Sequence, residues 1–138
     1  MYLSVIIPAY NEEKRIIKTL LAVGEYLKKQ SYQYEILIVN DGSKDKTAEV
    51  INGLKSQIAN LKLIDNKENQ GKGYVVGQGM LAAGGDVRLF MDADNSTAID
   101  QLAKFLPYFS EGYEMVIGSR QAVGSVNIVK QSWLREFL

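Results

Sequence analysis

Short β-branched runs alternate with segments of helical period along most of this chain, and that alternation constrains its fold more than any other feature. Residues 2–7, 35–39, 61–64, 87–91 and 115–117 read as strands. Most are apolar throughout, the pattern of strands covered on both faces. Between them Ile16, Leu20, Gly24 and Leu27 mark one helical face, and Val50, Leu54 and Ile58 a second. A third helix is expected from Gly73 to about Ala83. A fourth carries Ile99, Leu102, Leu106 and Phe109, and Thr97-Ala98-Ile99-Asp100 fits a capping box at its start. Strands alternating with helices predict an α/β fold with a doubly wound, mostly parallel sheet and right-handed crossovers. At 138 residues the chain is expected to be a single domain, 1–138, with residues 120–127 loose and a helix beginning over 128–138.

In an open parallel sheet, ligands bind outside the carboxyl ends of the strands. The segment after each strand is therefore a candidate site. Pro8-Ala9-Tyr10-Asn11-Glu12-Glu13 comes after the first, Asn40-Asp41-Gly42-Ser43 after the second, and the Gly-rich Asn69-Gln70-Gly71-Lys72-Gly73 after the third. Asp92-Ala93-Asp94-Asn95 comes after the fourth and Gly118-Ser119-Arg120 after the fifth. The fourth is the most informative, because the apolar run Leu89-Phe90-Met91 delivers two carboxylates one residue apart where a buried strand should end. Crowded acids repel each other, so such a loop usually holds a hard cation or a group that needs acid or base help.

The chain has no His and no Cys. That excludes a zinc site of the usual kind, a Ser-His or Cys-His nucleophile pair and a disulfide framework. Oxygen ligands favour Mg, Mn or Ca. Sixteen basic and sixteen acidic residues cancel, so no global field draws the protein to nucleic acid. No basic segment precedes the first apolar run, and no stretch approaches the roughly 20 apolar residues of a membrane span. A cytoplasmic location is expected.

Taken together, the five motifs resemble the inverting family 2 glycosyltransferases with the GT-A fold. Ile7-Pro8-Ala9-Tyr10-Asn11-Glu12-Glu13 resembles the family's opening motif, and Val39-Asn40-Asp41-Gly42-Ser43-Lys44-Asp45-Lys46-Thr47 its nucleotide motif. Asn69-Gln70-Gly71-Lys72-Gly73, Asp92-Ala93-Asp94 and Val116-Ile117-Gly118-Ser119-Arg120 occur in the family's order, spanning residues 2–120. The dolichyl-phosphate glucose and mannose transferases are the most similar subgroup, the glucosyl branch above all. The resemblance implies the nucleotide-binding half of a GT-A fold. It implies that Pro8, Ala9, Tyr10 and Glu12 lie against base and ribose, that Asp41, beside Gly42, accepts from a base N–H, and that Lys72, next to Gly71, approaches the diphosphate. The family often has Asp where Asn40 stands. Asp92, Ala93 and Asp94 match its metal motif, with Asp94 the direct ligand to Mg or Mn and Asp92 nearer the ribose or a metal-bound water. Arg120 would face the sugar or the acceptor phosphate.

The implied reaction moves a hexose, glucose before mannose, from UDP-glucose or GDP-mannose to a polyprenyl phosphate with inversion. A phosphate oxygen is largely ionised at neutral pH, its second pKa being about 6, so a chain without His could support the step with no general base. Family members continue past the equivalent of Leu138 into an acceptor loop and membrane helices, so the resemblance implies a fragment that keeps the donor half. Membrane association, on the cytoplasmic face, would come only through the missing part. Other readings of the same residues are a non-catalytic nucleotide-sugar-binding module and a dinucleotide-binding oxidoreductase domain, the latter from Gly71, Gly73 and Gly77 with Asp92 about 20 residues on. An aspartyl-phosphatase loop lacks its later acidic pair, and an EF-hand fails because Thr97 and Ala103 occupy the turn-Gly and bidentate-Glu positions. The fragment is expected to bind donor with weak or no transfer. Robust glucosyl transfer to polyprenyl phosphate by the purified 138-residue chain would contradict that expectation.

Overall fold

The computed structural model describes residues 2–119. Four parallel strands, β1 (Tyr2–Ala9), β2 (Gln33–Asp41), β3 (Leu61–Asn66) and β4 (Val87–Phe90), form one sheet in the order β3-β2-β1-β4. The register runs from Tyr2 opposite Gln33 to Ala9 opposite Asn40, and from Leu3 opposite Val87 to Ile6 opposite Phe90. The central strands explain the apolar runs in the sequence. Leu3, Val5, Ile6 and Ile7 of β1 and Ile36, Leu37, Ile38 and Val39 of β2 are all buried. Each such side chain contributes about 1.5–3 kcal/mol of transfer free energy.

The chain steps outward from β1 to β2 to β3 through α1 (Ile16–Lys28) and α2 (Thr47–Leu54), then crosses back to the far side of β1 through α3 (Lys72–Ala82). Right-handed crossovers in opposite directions put α1 and α2 on one face and α3 on the other. Ile6, Leu37 and Val39 form a core with Val75 and Ala83 on the α3 side. The approach is closest at Gly79, where an added Cβ would lie 2.5 Å from Ile6 Cγ2.

Several expectations require correction. The second helix buries Thr47, Ile51 and Leu54, at i, i+4 and i+7, and leaves Val50 half-buried; Ile58, expected on the same helical face, is buried in the turn beyond its end at Leu54. The expected fifth strand at 115–117 does not form. Met115 and Ile117 are 75% and 77% exposed and pair with no strand among the described residues. Consequently β4 is an edge strand among the described residues, with half-buried and exposed positions alternating. The fourth helical segment opens as a 3-10 turn (Ile99–Gln101) before α4 (Leu102–Ser110). Apart from these corrections, the described residues group into two compact units, one up to Gln101 and one from Leu102 on. Within the second, Tyr108 and Tyr113 meet edge-to-face at 5.8 Å. The expected loose stretch 120–127 and the helix over 128–138 lie outside the described residues.

At the amino edge of the sheet a buried acid joins three strands. The Glu35 carboxylate accepts from the Ser4 hydroxyl at 2.5 Å, the Gly84 backbone N–H at 2.7 Å and the Lys62 ammonium at 2.7 Å. Burial pushes its pKa up, but the bonds from Lys62, Ser4 and Gly84 outweigh burial and bring it from 4.5 down to about 2. A carboxyl depressed by folding stabilises above its unfolded pKa, and that stability is lost as pH falls through the folded value. At 1.36 kcal/mol per pH unit, the contribution is roughly 3 kcal/mol. Glu35→Gln is expected to lower unfolding free energy by about 2–3 kcal/mol at pH 7. The gap between variant and parent should narrow from about pH 4.5 to about pH 2 in urea titrations. A gap that stays constant over that window would refute the assignment.

Candidate functional site

At the carboxyl edge, where the strand order reverses around β1, loops from four strands enclose a cleft of about 410 Å³. Pro8, Ala9, Tyr10 and Glu12 line it from the end of β1, Asp41 from β2, Gly71 and Lys72 from the start of α3, and Asp92, Ala93 and Asp94 from the loop after β4. All but one of the described residues expected to contact donor or metal therefore meet here. The exception is Gly42, which lies off the cleft wall. Arg120 lies outside the described residues. Asn69 and Val75 complete the lining. A second hollow, about 640 Å³, lies at the opposite edge of the sheet against Tyr2, Tyr32, Gln33 and Asp86, remote from every carboxyl-edge motif.

The loop after β1 is bonded reciprocally to the loop after β2. Asn11 donates its backbone N–H to Ser43 Oγ and accepts Lys44 N–H on its side chain. Glu13 donates to Asp45 Oδ2 and accepts from Lys46 N–H, and Glu12 N–H bonds Thr47 Oγ1 at 2.8 Å. Asn11 takes a positive φ of 54°, which Asn tolerates better than most residues. Burial raises the Asp45 pKa, but the bonds from Thr47 and from the Glu13 N–H outweigh it and hold the carboxyl below its usual value. Asn40 has a role of its own. Its amide donates to Asp65 Oδ1 at 2.6 Å and its oxygen accepts from Ser43. A carboxylate at this buried position would face Asp65 without that donor, so Asn suits the site better than Asp.

Asp41, 3% exposed, accepts backbone N–H groups from Gln70 at 2.7 Å and Gly71 at 3.0 Å, one on each carboxyl oxygen. It thereby fixes the Gly-rich loop to the end of β2, and each oxygen retains acceptor capacity toward the cleft. Gly42 has φ +66°, and a Cβ there would fall 2.5 Å from the Glu68 carbonyl carbon and 2.7 Å from Asn69 N. Its role is to let two backbones pass. Gly71, with φ 92° and ψ 152°, occupies a region open essentially to glycine alone, and it turns the chain into α3.

The first residue of α3, Lys72, crosses the mouth of the cleft. Its ammonium lies 2.6 Å from Asp92 Oδ1 and 5.5 Å from the centre of the Phe90 ring. Both partners of this ion pair are substantially exposed, so it adds little stability and can exchange. Asp94 accepts Ser96 N–H at 2.9 Å. That bond holds its carboxyl below the usual range against partial burial, with the Ser96 hydroxyl and the positive Arg15 assisting. Arg15 itself grips Glu12 through two bonds of 2.8 Å.

No cluster of three or more acidic, His or Cys ligands exists among the described residues. Two exposed carboxylates beside an open cleft nevertheless suit Mg or Mn, which commonly take one or two protein carboxylates and complete their shell with phosphate oxygens and water. Sequence reasoning missed Thr19. This buried residue on the inner face of α1 donates its hydroxyl to Ala93 O at 2.6 Å, between the two acids. Its only sequence signal is a hydroxyl on an otherwise apolar helical stripe.

The sequence matches the model of glycosyl transferase family 2 over residues 4–134. It is 40% identical to a dolichyl-phosphate beta-glucosyltransferase of Trichomonas vaginalis, with 100% of this chain and 45% of that protein covered. To the dolichyl-phosphate beta-glucosyltransferase of Dictyostelium discoideum it is 35% identical, covering 100% and 46%. The chain thus spans about half the length of the curated relatives it matches. Among solved structures, S. aureus TarS 1-349 in complex with UDP-GlcNAc superposes with a TM-score of 0.65 at 29% identity, over 80% of this chain and 32% of that one. The mannosyltransferase PcManGT from Pyrobaculum calidifontis, in complex with GDP-Man and Mn2+, gives 0.64 at 26%, over 78% and 32%.

The two glycines should respond differently to a methyl group. Gly71→Ala meets nothing within 4 Å and carries only the backbone penalty, about 1–3 kcal/mol. Gly42→Ala adds a clash with the Glu68–Asn69 backbone and should cost at least about 1 kcal/mol more. Urea unfolding of both variants checks the order. Equal losses would mean that the two loops do not pass so closely.

Proposed function

We propose that this chain, which belongs to glycosyl transferase family 2, forms the donor-binding part of an inverting hexosyltransferase. In the whole protein it would pass glucose from UDP-glucose to a polyprenyl or dolichyl phosphate. The observation that carries this reading is the meeting of Asp41, Lys72, Asp92 and Asp94, from three separate loops, in one cleft of about 410 Å³. The relatives named as dolichyl-phosphate beta-glucosyltransferases, identical at 30–40%, support glucose and a lipid-phosphate acceptor ahead of mannose.

On this reading Pro8, Ala9, Tyr10 and Glu12 take the base and ribose, and Asp41 offers its remaining lone pairs to a base N–H. Lys72 turns from Asp92 to the diphosphate, a small movement for a flexible point charge whose present partner is exposed. Asp92 and Asp94 would hold a Mg or Mn ion, which when bound supplies positive charge to the departing diphosphate. Asp94 is prepared for that role, because Ser96 and Arg15 favour its charged form. Arg120 would face the sugar or the acceptor phosphate. A phosphate oxygen as nucleophile needs no general base, in keeping with a chain that has no His. A lipid-phosphate acceptor would put the whole protein at a membrane surface, on its cytoplasmic face. No helix among the described residues is long and apolar enough to cross a membrane. The dinucleotide reading loses its support, since Gly71 stands past the end of β3 at Asn66 and not in its tight turn.

Calorimetric titration of UDP-glucose, GDP-mannose and NADH, with and without Mn, tests the proposal. UDP-glucose should bind tightest and in a Mn-dependent way. Asp94→Asn and Lys72→Met should each weaken uptake about ten-fold or more, the scale of a lost charge-assisted bond. Uptake indifferent to metal and to both substitutions, or uptake of NADH alone, would refute it.

A further inference from the structure

We infer that Thr19 is a positioning residue for the cation-holding acids, a role that rests on the donor-site reading of Asp92 and Asp94. Thr19 sits in the buried stripe of α1 with Ile16, Leu20, Val23 and Leu27, where an aliphatic side chain would fit the helical pattern. It is 2% exposed, and its hydroxyl donates across 74 residues of sequence to the carbonyl of Ala93 at 2.6 Å. A buried threonine in a helix can satisfy itself on its own preceding turn. This one points its proton out of the helix instead.

The acceptor it chooses matters. The Ala93 carbonyl belongs to the peptide unit that joins Ala93 to Asp94, and a peptide unit is planar. Pinning its oxygen therefore fixes the plane in which Asp94 Cα lies. The residues on either side carry their own constraints. Asp94 is turned back onto Ser96 N–H, and Asn95 takes a φ of +54°. Ala93 is itself buried, while the flanking carboxylates stand exposed at the cleft. β4 has ended at Phe90, and the Met91 N–H makes the last described ladder bond, to Ile6 O at 3.1 Å. Beyond that point the sheet no longer holds the loop. The Thr19 hydroxyl takes over that task, and so sets the direction in which Asp94 presents its carboxylate relative to Asp92.

Two substitutions separate this role from packing. Thr19→Val keeps the shape and removes the hydroxyl, whereas Thr19→Ser keeps the hydroxyl and removes the methyl group. Mn2+ is titrated into the 138-residue chain, followed by paramagnetic broadening of the amide signals of residues 92–96, with thermal unfolding measured in parallel. Asp94→Asn should abolish the broadening. Thr19→Val should require about five- to ten-fold more Mn2+ for the same broadening, and Thr19→Ser should match the parent within about two-fold even where its unfolding temperature falls. Parent-like Mn2+ binding in Thr19→Val, or equal weakening in Val and Ser, would overturn the positioning role while leaving the acids in place. Retained broadening in Asp94→Asn would overturn the donor-site reading and this inference together. If Thr19→Val is too unstable to titrate, the hydroxyl proton of Thr19 in the parent decides. A resolved hydroxyl signal in slow exchange with water, with cross-peaks to residues 93–94, supports the anchor, and a hydroxyl proton that exchanges freely with water overturns it.

Discussion

A carboxylate taken out of water must find donors, and Asp41 finds them in the backbone of a loop nearly thirty residues away. Its two oxygens hold the N–H groups of Gln70 and Gly71, which draws the link between β3 and α3 across the end of β2. The pass is so close that residue 42 can have no side chain. Gly71, fixed in place, then starts α3 in the one orientation that sets Lys72 over the mouth of the cleft. The placement of the Gly-rich loop and of Lys72 depends on that buried acid. Without it the Gly-rich loop would keep only the Asn69 side-chain bond to the Asp41 carbonyl, and Lys72, the cation paired with Asp92, would lose its footing.

The two edges of the sheet divide their labour. At the amino edge Glu35 is engaged by Ser4, Gly84 and Lys62, and its carboxylate ties three strands together. At the carboxyl edge, short polar side chains bond the loops to one another, while Lys72, Asp92 and Asp94 remain exposed. Rigid loops that present weakly committed charges are what a site for a charged donor requires, because order is established before the ligand arrives.

The sequence was most legible where burial was complete. β1 and β2 are apolar on both faces, so they stood out without any knowledge of neighbours, and the motifs after them could be placed on the correct edge. Legibility failed where a local pattern depends on what lies beside it. Residues 115–117 have the apolar composition of a strand but no partner among the described residues. β4 reads as buried yet lies at the edge of the described sheet for the same reason. Val50 and Ile51 are adjacent and both apolar, and only contact with the sheet selects Ile51. Gly42 was legible as a turn residue, but the backbone that demands it comes from residues 68–69. Thr19 was invisible for a related reason, since its partner lies 74 positions away and a threonine on an apolar stripe resembles ordinary packing.

On the proposed reading, donor binds at the carboxyl edge, in the cleft that Asp41 organises. Backbone amide shift mapping with UDP-glucose and Mg tests it most directly, with GDP-mannose run alongside. The account requires the largest changes at residues 8–12, 69–72 and 92–96, with Tyr32, Gln33 and Asp86 unmoved. Changes concentrated at the amino-edge hollow instead, with the cleft residues silent, would contradict it.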